Sequence, residues 1–136
     1  MSCIGPHRFL SWSELACHDR AKTPYPVELE YSEVLDDLVE MFEAIRGEYG
    51  RPIKIVSAYR TPAYNRSVGG VPNSTHTRGL ALDIRPVRGS LSVLVWAVEH
   101  VVSTTKLIRG VGHYTSFVHV DCRGKTGDRL ARWSGR

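Results

Sequence analysis

The segment GLALDIRP, residues 79–86, narrows the fold most. Side chains alternate along a β-strand, so Leu80, Leu82 and Ile84 share one side, while Ala81, Asp83 and Arg85 share the other. This is a strand with an apolar face toward a core and a carboxylate on the opposite face. Residues 117–122 repeat the pattern, with Val118, Val120 and Cys122 on one face and Phe117, His119 and Asp121 on the other. PIKIV, residues 52–56, and Gly110 to Tyr114 read as two more strands, the latter joined to the last strand by a short turn at Thr115-Ser116. Two long helices fall between them. After Ser32, a good N-cap, Leu35, Leu38, Val39, Phe42 and Ile45 recur at helical spacing until Gly47 and Gly50 supply the stop. In LSVLVWAVEHVV the buried stripe is Leu91, Leu94, Val95, Val98, Val101 and Val102. Shorter helical turns are expected from Ser11 or Ser13 to Leu15, and from Thr61-Pro62 to Asn65, where proline suits the first helical position.

These elements predict a small single α+β domain, a central antiparallel sheet with flanking helices. The chain of 136 residues divides into a loop-rich segment (1–26), a core (27–124) and a basic tail (125–136). A hydrophobic fraction of 42% with 24% charged residues excludes a disordered or fibrous chain. The formal charge of +4 is spread along the sequence, which reads as a solvated surface. Cys3, Cys17 and Cys122 are odd in number and lack C-x-x-C spacing, which argues against a disulfide framework and a thiolate zinc site. No apolar run reaches membrane-spanning length, and the opening MSCIGPHRFLSWSEL shows no secretory leader.

Chemistry concentrates at three positions. Asp83 and His119 stand on the non-core faces of their strands, and His76 lies in a Gly/Ser/Thr-rich loop just before the Asp83 strand. Two imidazoles and a carboxylate form a plausible three-ligand zinc set with a fourth position left for water. Spacing alone leaves such a site one possibility beside ordinary exposed polar residues.

The run Ser74 to Asp83, STHTRGLALD, resembles the S-x-H-x-x-G-x-A-x-D signature of the zinc D-Ala-D-Ala peptidases, a family whose fold is shared by the hedgehog signalling domain. The opening from Phe9 to Cys17, SAYRTPAYN (57–65), VGG (68–70), GVGHY (110–114) and FVHVD (117–121) fit one branch of it in order, across nearly the whole chain. The resemblance implies a zinc peptidase with His76, Asp83 and His119 as metal ligands. Its substrate would be peptidoglycan stem peptide, cut as a carboxypeptidase or an endopeptidase. Arg60 resembles the family arginine that stabilises the oxyanion and orients substrate, against a structural salt bridge as the plain alternative. Ser74 resembles a serine lining the substrate cleft, and could equally be a loop hydrogen bonder.

The sequence departs from the family at the general base, where Ser116 stands three residues before the last histidine ligand instead of an acid. Asp121, two residues beyond His119 on the same face, is the substitute; the alternative is that it orients the His119 ring. His113 is a candidate to reach the cleft and touch a tetrahedral intermediate, and Glu99 is expected to be solvated. Trp12, Trp96 and Trp133 read as packing residues.

The competing function is a catalytically silent module that keeps the fold and zinc but only binds cell wall or a partner. Nucleic-acid binding has only the modest positive charge behind it. A monomer is expected. With no leader visible, the expected route is synthesis in the cytoplasm and release to the wall, as in phage endolysins, or export of a bacterial enzyme whose leader has been removed.

Overall fold

The computed structural model describes residues 10–30, 32–123 and 130–135; Cys3, His7, Phe9 and residues 125–129 and 136 of the basic tail lie outside this set. The apolar stripe after Ser32 forms helix α2, Glu33–Tyr49, following a short helical turn α1, Trp12–Leu15. The Ser32 hydroxyl caps α2 by accepting from the Leu35 N–H (3.4 Å) while donating to the Leu29 carbonyl (2.6 Å). Strand β1, Ile53–Ser57, leads to the short helix α3, Pro62–Ser67, where Thr61 is the cap and Pro62 opens the first turn. Strand β2, Ala81–Pro86, precedes helix α4, Leu91–Thr104, and strands β3, Gly110–His113, and β4, Val118–Asp121, complete the sequence-derived set.

A fifth strand, β5, Ala131–Ser134, arises within the segment read as a basic tail. The sheet order is β1-β2-β4-β3-β5. The first three pairings are antiparallel as expected, and β5 runs parallel to β3, which makes the sheet mixed. Helices α2 and α4 pack on each other and cover one face. Leu38, Phe42 and Ile45 of α2 and Leu94 and Val98 of α4 are buried with Leu82, Ile84, Val111, Val118 and Val120 of the sheet.

The opposite face is defined by register. Ser57 pairs with Asp83, Asp83 with His119, His119 with Gly112, and Gly112 with Trp133. One row therefore crosses all five strands with its side chains on the face away from the helices. The neighbouring row on that face contains Ala81, Asp121, Gly110 and Ala131. The loop from Ala58 to Leu80 folds over these rows and brings in His76.

That loop is pinned from below by Tyr25, which is buried and donates its hydroxyl to the Gly79 carbonyl (2.9 Å). A Tyr25→Phe variant leaves this buried carbonyl without its partner. It should lower unfolding free energy by about 1–3 kcal/mol in a urea titration. An unchanged midpoint would show that the loop is held by other contacts.

Candidate metal centre

His76, Asp83 and His119 each present one ligand atom, and these atoms lie within 4.8 Å of one another. Asp83 Oδ1 is the common point, 3.1 Å from His76 Nε2 and 2.9 Å from His119 Nδ1. All three side chains are buried, with residue exposures of 3%, 3% and 6%. Asp83 and His119 are adjacent because they face each other across the β2–β4 ladder. His76 arrives from a tight turn in which the Ser74 hydroxyl accepts from the His76 N–H and the Ser74 carbonyl accepts from Thr77.

The far nitrogen of each ring is already committed. His76 Nδ1 donates to the Ala58 carbonyl (2.6 Å), and His119 Nε2 donates to Asp121 Oδ2 (2.8 Å). The near nitrogens face Asp83, and a bound cation would displace any proton there and take their lone pairs while the far nitrogens keep their partners. Burial disfavours the charged form of Asp83, but hydrogen bonds from His119 and His76 outweigh it and hold the carboxyl well below the usual range. Burial likewise opposes charge on His119, and its bonds to Asp121 and Asp83 leave its pKa raised. Two imidazoles crowding one carboxylate at the floor of a cleft form a donor set that suits a divalent cation of zinc type, which takes nitrogen and carboxylate ligands in tetrahedral sites with one position open.

The structure distributes the remaining sequence candidates unevenly. Arg60 joins the centre: Nε donates to Ser57 Oγ (3.1 Å), Nη1 to Asn65 Oδ1 (3.3 Å) and Nη2 to Asp83 Oδ2 (3.4 Å). Ser74 lines the cleft, and its hydroxyl shapes the turn by accepting from the His76 N–H. His113 is not brought to the centre. It shares the helix-side face with Val111, and its Nε2 lies 3.3 Å from Glu99 on α4. Glu99 in turn makes a two-point pair with Arg132 of β5, both contacts at 2.7 Å, so the expectation of a merely solvated side chain is corrected. Ser116 sits exposed in the β3–β4 turn.

Asp121 lies behind His119, on the ring nitrogen remote from the ligand cluster. Its two oxygens are also taken by Arg123, through the backbone N–H (3.1 Å), Nε (2.9 Å) and Nη2 (2.8 Å). Fully buried and engaged on both oxygens, it is placed to orient the imidazole rather than to meet a water in the cleft. Burial opposes its charge, but His119 and Arg123 hold its pKa well below the usual carboxylate range.

Several neighbours were not assigned from sequence. Asn65 is buried, accepts from Arg60, and donates to the Val71 carbonyl (2.8 Å), tying the arginine to the cleft rim. Arg123 and Trp133 line the same cleft, which has a volume of about 580 Å³. The sequence trace of their presence is the pair of glycines in GVGHY. A Cβ on Gly110 would collide with the Asp121 carboxylate, and one on Gly112 would lie 2.5 Å from Trp133 Nε1.

A buried His-Asp-His cluster at the floor of an open cleft, with a fixed guanidinium alongside, defines a metallohydrolase type of site. The sequence profile of the peptidase M15 family matches residues 9–121, and the chain belongs to that zinc D-Ala-D-Ala carboxypeptidase-like family. No curated protein matches the chain.

If Asp121 orients His119, Asp121→Asn should weaken metal affinity by about 10–100-fold and leave turnover per bound metal nearly unchanged. Chelator competition beside metal-normalised kinetics reads both quantities. Intact affinity with a large loss of turnover would instead make Asp121 the base.

Proposed function

We propose that the protein is a zinc-dependent peptidase that hydrolyses peptide bonds of bacterial peptidoglycan, either at D-Ala-D-Ala termini or in stem-peptide cross-links. The observation that carries this reading is the preorganised His76, Asp83, His119 cluster, within a chain of the M15 family. Zinc held there supplies Lewis acidity toward a scissile carbonyl and lowers the pKa of its water to about 7.

The chain's own groups supply the rest. Arg60 is held by Ser57, Asn65 and Asp83, which leaves its other N–H groups for the cleft. A guanidinium fixed this way suits the carbonyl oxygen on which negative charge develops, without reorganisation during the reaction. Asp121 and the Ala58 carbonyl hold the two imidazoles at fixed orientation. The cleft is lined by Arg60, Arg78 and Arg123, with Asp83 as its single carboxylate among the described residues. That balance favours a substrate carrying carboxylates, as stem peptides do. Such a substrate lies in the cell wall, and endolysin-like release is the delivery in keeping with this reading.

A second reading draws on one observation. Position 116 is serine, Asp121 is engaged behind His119, and Glu99 is bound to Arg132 on α4's side of the sheet. No described carboxylate besides Asp83 faces the cleft, so a silent wall-binding module is the alternative. Incubating zinc-loaded protein with defined muropeptides, followed by mass spectrometry, separates the two. Cleaved stem peptides support the peptidase, and retention of intact muropeptides without cleavage supports the module.

Two variants test the assignments. His76→Ala should stay folded while losing most of its bound zinc, and full retention of metal would remove His76 from the ligand set. Arg60→Lys keeps the charge but not the planar fork, and turnover should fall by about 10²–10³. Wild-type kinetics would return Arg60 to a structural role.

A further inference from the structure

The C-terminal strand β5 lies beyond the residues matched by the family profile and ends beside the metal centre. Trp133 stands in the same cross-strand row as Asp83 and His119, separated from His119 only by Gly112. Because Gly112 has no side chain, the indole lies across β3, and its ring centroid comes within 5.0 Å of the His119 ring at a 52° tilt. Its Nε1–H donates to the Tyr114 hydroxyl (2.8 Å), and Tyr114 is stacked on Phe117 at 4.5 Å. Its other neighbour is the Arg123 guanidinium, 5.2 Å from the ring and itself bound to Asp121. The strand is moored by its parallel ladder to β3 and by the Arg132–Glu99 pair.

His119 is thus restrained from three directions: Asp121 at Nε2, the His76 ring at 5.0 Å, and the Trp133 indole. We propose that β5 is an integral part of the metal centre and that Trp133 is a positioning residue, holding the His119 imidazole in its ligating orientation. An aromatic wall suits this task, since it excludes alternative ring rotamers and limits water around the ligand. The inference rests on the reading of His76, Asp83 and His119 as a zinc site.

The test measures zinc affinity of the full chain by chelator competition for wild type, Trp133→Ala and Trp133→Phe, with thermal unfolding of each zinc-free protein. Trp133→Ala should weaken affinity by about tenfold or more, within the range seen when ligand-orienting partners are removed. Trp133→Phe restores a ring but not the indole–phenol hydrogen bond, so it should recover part of the loss and stay several-fold below wild type. Affinity within about twofold of wild type in Trp133→Ala overturns the proposal. So does an equal loss in Phe42→Ala, whose side chain is buried in the remote core, because affinity would then follow stability alone. If Trp133→Ala does not fold, Trp133→Phe and Tyr114→Phe carry the test, since each breaks the indole–phenol hydrogen bond. A several-fold loss in both is expected, and no loss in either overturns the proposal. Wild-type protein that binds no zinc defeats the metal reading itself, whereas binding that is indifferent to Trp133 defeats this inference alone.

Discussion

The hydrogen-bonded register of β2, β4 and β3 is the constraint on which the rest of the structure depends. It sets Ser57, Asp83, His119, Gly112 and Trp133 in one row. The side-chain period of a strand is two, so a slip of one residue would send Asp83 and His119 into the helix-covered core. The apolar alternation of Leu82, Ile84, Val118 and Val120 prevents that slip, because the same slip would expose all four. Core packing and metal-site geometry are therefore two consequences of one pairing.

The cost of this arrangement is electrostatic. Asp83 and Asp121 are both buried, and an unpaired buried carboxylate is strongly unfavourable. Each is compensated by a guanidinium at the cleft edge, Arg60 for Asp83 and Arg123 for Asp121, and by a histidine. The two histidines hold Asp83 ionised, His119 and Arg123 do the same for Asp121, and both arginines line the cleft. Removing one partner of such a pair is more damaging than replacing both, because a buried charge is then left alone. The glycines of GVGHY serve the same economy of space. They let Asp121 and Trp133 occupy volume that side chains on β3 would otherwise fill.

What was legible in the sequence followed local periodicity. The α2 and α4 stripes, the alternation of β2 and β4, and the cap at Thr61-Pro62 all appear where their spacing places them. The His76, Asp83 and His119 grouping was legible from the family-like signature, since loop and strand carry them in a fixed order. Strand β5 was not legible, because Ala131–Ser134 is short, lacks a strong alternation and gains its partner only through a non-local parallel pairing. Without β5, the sequence shows Trp133 only as a packing residue and Glu99 only as a solvated one. For Asp121 the pattern leaves two readings, a base or an orienter of the His119 ring, for a different reason. Strand spacing separates its backbone position from that of His119, but the imidazole leans along the strand and closes the gap to 2.8 Å. Distances between side-chain tips depend on rotamers, which alternation does not specify.

The proposed zinc site is preorganised by three atoms, His76 Nε2, Asp83 Oδ1 and His119 Nδ1. Diffraction from crystals of the zinc-loaded protein, recorded on both sides of the zinc absorption edge, tests it most directly. A single anomalous peak is expected about 2.0–2.2 Å from each of those three atoms, with His119 Nε2 still on Asp121. A peak held by His113 or Cys17, or a His119 ring turned to ligate through Nε2, would contradict it.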